Sequence, residues 1–215
     1  MGLGKLLHGH AEHAEEGGTI DRPRAYELFS DLGFFGRRRE MFTRLAALSG
    51  VRPGDRVLDV GCGTGYLSRI MAQVAGPSGQ VTGVDLSVPM IEHARRQAPA
   101  DCAYVVGEAQ RLDLPDASMD VVTSSLAVHH LPVAARAAAF AEMHRVLRPG
   151  GRLLIAEFRP PTNPLLAHVM LKFSGSPMRH NPRDLLGGLI PDAGFEVVEE
   201  GELPVMLYYV RARRP

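Results

Sequence analysis

The sequence predicts an α/β fold: a three-layer sandwich around a mostly parallel seven-stranded sheet that ends in an antiparallel hairpin. Three observations predict it. Short apolar strands alternate with amphipathic helices from Asp55 onward. The strands are near-continuously apolar, as strands covered on both faces must be. The last two strand candidates lie close enough in sequence to pair as a hairpin.

The first five strand candidates are residues 56–60, 80–85, 103–106, 121–124 and 152–158. Between the first two, Leu67, Ile70, Met71 and Val74 fall at i, i+3, i+4 and i+7, the face of a helix packed on a sheet. Val133, Ala137, Phe140, Ala141 and Leu147 suggest a second such face, ended by Pro149-Gly150-Gly151. Beyond the fifth strand, Leu165, Leu166, Val169, Met170 and Phe173 form an apolar helix face, and residues 182–193 a further helix closed by Gly194. Residues 195–199 and 205–211 are the hairpin strands, joined by Gly201-Glu202-Leu203-Pro204.

Upstream, residues 24–31 suit a short helix, and Met41, Phe42, Leu45 and Leu48 stripe a second. Arg37-Arg38-Arg39 opens that second helix and is expected on a solvated face, attraction of an acidic substrate group being the second reading. Residues 1–22 have no apolar periodicity and are expected to be a flexible leader, with His8, His10 and His13 solvated. The folded domain then spans 23–215.

Composition narrows the function. Lys+Arg and Asp+Glu are 24 each, so no net charge draws the chain to nucleic acid or an anionic membrane. No apolar run is long enough to cross a bilayer, and the N-terminus has no secretory h-region. The two cysteines, Cys62 and Cys102, form neither a disulfide framework nor a metal knuckle. A small cytoplasmic domain without metal is expected, a monomer or homodimer acting on a small molecule.

The strongest local signal is Val57-Leu58-Asp59-Val60-Gly61-Cys62-Gly63-Thr64-Gly65, an apolar strand running into three close glycines and then a helix. Glycines let the backbone turn sharply and let a ligand approach the peptide groups, and the helix N-terminus offers N–H groups to an anion. Asp85, at the end of the second strand, is placed to accept hydrogen bonds from both ribose hydroxyls of an adenosine. A dinucleotide loop wants a third glycine where this chain has Tyr66, and Asp59 would repel a pyrophosphate. The same carboxylate suits a cofactor carrying an ammonium group and a sulfonium cation.

Asp59 to Gly65 followed by Asp85 resembles the first two motifs of class I S-adenosylmethionine-dependent methyltransferases. Gly107-Glu108-Ala109, the stretch Leu114-Pro115-Asp116-Ala117-Ser118-Met119-Asp120, and Leu147-Arg148-Pro149-Gly150-Gly151 agree with it. The likeness runs from Tyr26 to Val198 and implies a Rossmann-like fold. Within that superfamily the chain is most similar to the ubiquinone/menaquinone-biosynthesis C-methyltransferases and their small-molecule relatives. Tyr26-Glu27, Asp31-Leu32 and Phe35-Gly36 stand where those enzymes carry a lid signature, so residues 23–49 are the expected lid. Two departures bear on the acceptor. His129-His130 stands where the family has an Arg-Asn pair, and the family's long aromatic segment before its last helix is missing.

The resemblance implies methyl transfer from S-adenosyl-L-methionine to a small hydrophobic or aromatic molecule, on oxygen or carbon. Asp59, Gly61 and Gly63 then hold the methionine part. Asp85 takes the ribose, Leu86 and Met90 pack along the adenosine, Glu108 and Ala109 meet the adenine edge, and Ser125 lines the methionine end. Sulfonium leaves without acid help, so a base that unmasks the nucleophile is the residue to seek. His129 is the expected base, with His130 second; capping of the loop before the next helix stays open for both. Tyr26 either contacts donor or substrate or packs as an aromatic, and Glu157 either orients His129 or ends its strand. His144 is expected to be half-buried and structural, Cys62 a small filler, and His168 and His180 surface residues. Two other classes compete: a nucleic-acid or protein methyltransferase, and a non-methylating cyclase or cofactor-binding regulatory protein on the same scaffold. Ser124-Ser125-Leu126-Ala127 lacks the N/D-P-P-Y/F of the base-modifying branch.

Overall fold

The computed structural model describes residues 22–159 and 181–215. Nearly all of the expected leader, the helix face from Leu165 to Phe173, and His168 and His180 lie outside them. Two helices, α1 (Pro23–Gly33) and α2 (Arg38–Ser49), precede the sheet. Then come β1 (Arg56–Val60), α3 (Tyr66–Ala75), β2 (Gln80–Asp85), α4 (Val88–Arg96), β3 (Cys102–Val106) and β4 (Met119–Ser125). A 3-10 turn (Val128–His130) leads to α5 (Val133–Val146), β5 (Leu147–Phe158), α6 (Pro182–Asp192), β6 (Glu196–Leu203) and β7 (Leu207–Arg213).

The sheet order is β3-β2-β1-β4-β5-β7-β6, with β7 antiparallel to both its neighbours and every other pairing parallel. The expected α/β sandwich with a terminal antiparallel hairpin is therefore the observed fold. Its cause is visible in β1, where Val57 and Leu58 face opposite sides and both are fully buried. Val57 joins a core with Met41, Phe42, Leu45, Leu67 and Met71, contributed by α2 and α3. Leu58 joins another with Phe140, Met143, Val146, Leu186 and Ile190, contributed by α5 and α6. Consecutive residues of one strand thus hold the two outer layers.

Several faces and ends differ from the sequence reading, each for a physical reason. In α3 the buried residues are Leu67, Ser68, Met71, Ala72 and Ala75, while Val74 is exposed. Small Ser68 and Ala72 let the helix lie close on the sheet, which turns the larger Val74 outward. In α5 the buried face is Ala139, Phe140, Met143 and Val146; Val133, Ala137 and Ala141 are exposed. Phe140 and Leu147 are buried as expected, but an alanine-rich helix offers little contrast between its faces, so periodicity alone misplaced the other three.

That helix stops at Val146, and Pro149-Gly150-Gly151 lies inside β5 as a register irregularity opposite Met119 and Val121. Arg214 reaches back to the carbonyls of His144, Arg145 and Leu147 and so caps the helix end. Gly201-Glu202-Leu203 is strand, the turn falling at 204–206. Gly201 is opposite Tyr209, and a Cβ there would lie 2.7 Å from the Tyr209 hydroxyl oxygen. What looks like a turn glycine is a strand glycine covered by a cross-strand ring.

Candidate active site

β1 and β4 are adjacent, yet α3 after β1 and α5 after β4 belong to opposite layers. Such a switch point opens a crevice at the carboxyl ends of the strands. The cavity found there is bounded by the glycine loop, the ends of β2 and β4, and the two N-terminal helices.

The loop is pinned to β2 by backbone bonds. The N–H groups of Gly61 and Cys62 both donate to the Val84 carbonyl, at 2.8 and 3.1 Å. Gly63 N–H donates to Asp85 Oδ2 at 2.8 Å, and Ser87 N–H to Asp85 Oδ1 at 2.9 Å. Asp85 therefore shapes the loop as well as facing the cavity. Gly61 has φ +71°, and a Cβ there would lie 2.3 Å from Ala127 Cβ. Only glycine meets both conditions.

Asp59 lies on the cavity floor with 1 % exposure. Ser68 Oγ donates to its Oδ2 at 2.6 Å and Thr123 Oγ1 to its Oδ1 at 3.1 Å. Burial nevertheless outweighs these two bonds and a third from Ser68 N–H, and pushes its carboxyl up to about 6. Burial raises Asp85 as well, against the pull of its backbone donors. A cation in the cavity would offset the burial cost of ionising both acids, so the pair is suited to a cationic ligand. Cys62, beside both, is held as a thiol by burial and by their negative charge.

Gly63, Leu86, Met90, Glu108 and Ala109 also line the cavity, Met90 buried and Leu86 mostly exposed. Arg145 fastens the chain beyond Ala109 to α5, donating to the carbonyls of Leu112 and Leu114 and to Glu142 and Asp116. Across the cavity stand Ser125 and Leu126, the latter at φ +58° with its N–H donating to the Ala156 carbonyl. A non-glycine residue in the left-handed region at a cavity wall stores strain at the site. Tyr26 of α1 lines the cavity, its hydroxyl raised mainly by burial and partly relieved by Arg38. Glu27, next to it, lies 3.3 Å from His93 and so joins α1 to α4.

The two histidines stand in the reverse of the expected order. His130 is on the cavity wall; His129 is behind it, its Nδ1 2.5 Å from Glu157 Oε2. Glu157 is 2 % exposed, and its other oxygen accepts from Val128 N–H at 2.8 Å. The imidazole rings are 4.1 Å apart. The 3-10 turn causes this arrangement, because it rotates successive side chains by about a third of a turn. Glutamate, His129 and His130 thus run as a chain from the core to the cavity. His144 is half-buried against Phe195, and burial lowers its imidazole.

Sequence reading missed Arg38. It was expected on a solvated face, yet it is 4 % exposed and lines the cavity with Tyr66 and Thr64. The signal was present: Arg38, Met41, Phe42 and Leu45 are spaced as one helix face, which Arg37 and Arg39 flank. Two buried polar atoms of the wall, Arg38 Nε and Ser125 Oγ, have no hydrogen-bond partner. A ligand with polar groups at one end and an adenosine at the other fits this wall, and S-adenosyl-L-methionine is such a ligand. Among the described residues, no cluster of three or more His, Cys, Asp or Glu is arranged to hold a metal ion, and no helix is long and apolar enough to cross a membrane.

Comparison with known proteins agrees with the geometry. Residues 57–151 match the family model of a methyltransferase domain. The ubiquinone/menaquinone biosynthesis C-methyltransferase UbiE of Ectopseudomonas mendocina is 35% identical over 200 residues, covering 80% of this chain and 77% of that protein. A SAM-dependent methyltransferase of Aquifex aeolicus superposes with a TM-score of 0.71 at 21% identity, over 90% of this chain and 99% of that one. The [4+2]-cyclase SpnF superposes with 0.63 at 20%, over 98% and 87%, so the scaffold alone does not separate the two activities. Sequence identity does separate them: the chain belongs to the ubiquinone/menaquinone-biosynthesis C-methyltransferase family and is an S-adenosylmethionine-dependent methyltransferase.

Proposed function

We propose that this enzyme methylates a small aromatic acceptor bearing a ring hydroxyl, and that His130 takes the hydroxyl proton. The observation that carries the reading is the chain from buried Glu157 through His129 to His130 on the cavity wall. When bound, S-adenosyl-L-methionine supplies an electrophilic methyl group. The protein's part is to hold the acceptor in line, keep water out and remove the proton that masks the nucleophile. Loss of a ring-hydroxyl proton enriches both the oxygen and the adjacent ring carbon, so one base serves O- or C-methylation. Phe42, Leu126 and Leu131 supply an apolar wall for such a ring. UbiE relatives are named for quinone biosynthesis, which makes phenolic quinone precursors the first acceptors to try. His129-His130 in place of the family's Arg-Asn pair is reason to include simple phenols and naphthols beside them.

The test is S-adenosylhomocysteine formation, followed by mass spectrometry, over a panel of phenolic and aliphatic acceptors. Turnover confined to aliphatic acceptors overturns the aromatic reading.

On the same reading, Asp59 and Asp85 make donor binding depend on pH. A cationic donor needs the ionised carboxylates, and burial raises the pH at which they ionise. Affinity should therefore fall with acidity, by about tenfold between pH 8 and pH 5 for Asp59 alone. Calorimetry across that range checks the slope. Asp59→Asn should bind more weakly at pH 8 and show a flatter profile, and an unflattened profile removes Asp59 as its source.

A further inference from the structure

Arg38 is held in a way that packing alone does not require. Its guanidinium lies 4.0 Å from the Tyr66 ring centroid and 5.8 Å from that of Phe42, cation–π contacts that hold the charge against both rings. One terminal nitrogen donates to Asp31 Oδ1 at 3.2 Å, but that carboxylate's side chain is 60% exposed and neutralises the arginine only weakly. The Nε is buried without a partner at the cavity wall. An orphan charged donor in that position implies a missing acceptor.

A second positive element stands beside it. Tyr66 is the first residue of α3, a helix of 10 residues whose N-cap is Gly65, with no side-chain cap and no acid in its first turn. Asp59 takes the Ser68 N–H of the first turn, and no side chain caps the end before it, so the partial positive charge of the helix end still faces the cavity beside Arg38. The loop that precedes this end carries Gly61 and Gly63, and Asp59 lies beneath it.

We propose that Arg38 and the N-terminus of α3 form a carboxylate subsite, and that the carboxylate it takes is the one on the methionine end of the donor. A carboxylate could also arrive on an acidic acceptor. Place favours the donor, because Tyr66, on whose ring Arg38 lies, directly follows the glycine loop. The inference rests on the proposed orientation of the donor, with its methionine end at Asp59 and its ribose at Asp85.

A cycle of protein and ligand changes tests it. Calorimetry compares S-adenosylmethionine with its decarboxylated form, which keeps the sulfonium and the amine, on the wild type and on Arg38→Met. The wild type should prefer the intact donor by about ten- to hundredfold, and the preference should shrink to within about threefold in the variant. Arg38→Lys, which keeps charge without the planar fork, should fall between them; it carries the test if Arg38→Met fails to fold. Equal loss of both ligands overturns the proposal and leaves Arg38 as packing on Tyr66. Loss of neither, with the effect appearing only in the acceptor's KM, also overturns it and gives the subsite to the acceptor. Wild type that binds neither ligand fails the donor reading itself, a separate outcome.

Discussion

His130→Ala is expected to lower kcat by about 10²–10⁴ while leaving donor affinity nearly unchanged, the effect of removing a positioned base. His130 lines the cavity from the 3-10 turn after β4, whereas Asp85 accepts from Gly63 N–H and Asp59 lies beneath the loop, so the base can be removed with the loop left in place. His129→Ala should cost less, on the order of tenfold, because His129 acts through its neighbour rather than on the acceptor. Glu157→Gln should resemble it, since amide for carboxylate weakens the hold on His129 Nδ1 while a carbonyl still accepts from Val128 N–H. The acidic limb of the pH–rate profile should vanish in His130→Ala and shift in the other two. The acceptor must have a hydroxyl that does not ionise unaided at the assay pH. With such an acceptor, wild-type kcat in His130→Ala makes the histidine a loop residue only.

Asp85→Ala is expected to weaken S-adenosylmethionine binding by about 2–4 kcal/mol, since ribose hydroxyls would lose a charged acceptor. Part of that loss has another origin. Asp85 already accepts from Gly63 and Ser87, so its removal also frees the glycine loop. A 2′-deoxy donor separates the two contributions. If Asp85 meets the ribose, the wild type should discriminate against the deoxy form and the variant should not. Should Asp85→Ala weaken both donors equally, Asp85 acts on the loop alone. Asp85→Asn should not rescue binding, because an amide NH2 turned toward Gly63 N–H sets donor against donor.

The sheet was legible because parallel strands buried on both faces leave continuous apolar runs, and β1, β2 and β5 stood out for that reason. Helix faces were less legible. In α5 the apolar residues are mostly alanines, which bury and expose at little cost, so Phe140, Met143 and Val146 decide the face. The positions expected to hold the cofactor, from Asp59 to Ser125, line one cavity because strand ends and the glycine loop place them with little side-chain freedom. The order of the histidines was not legible, since a 3-10 turn and an extended loop give opposite answers for the same two residues. Arg38 was hidden by its neighbours: a run of three arginines reads as solvated until the helix phase singles out one.

Gly61 and Ala127 touch at the cavity wall, and their contact is a seam between two stretches of the chain. On one side, residues of 59–63, 84–90 and 107–109 border the cavity; on the other, residues of 124–132. Exchanging residues 126–132 for those of a relative, with Ser125 kept for the donor, should change which acceptor is accepted while donor affinity stays near its starting value. The exchange has one strict condition. Position 127 must stay alanine or glycine, because a longer side chain would press on a backbone with no room even for the Cβ of its own residue. An acceptor-swapped chimera with valine there should lose the donor along with the old acceptor, and restoring alanine should return the donor alone.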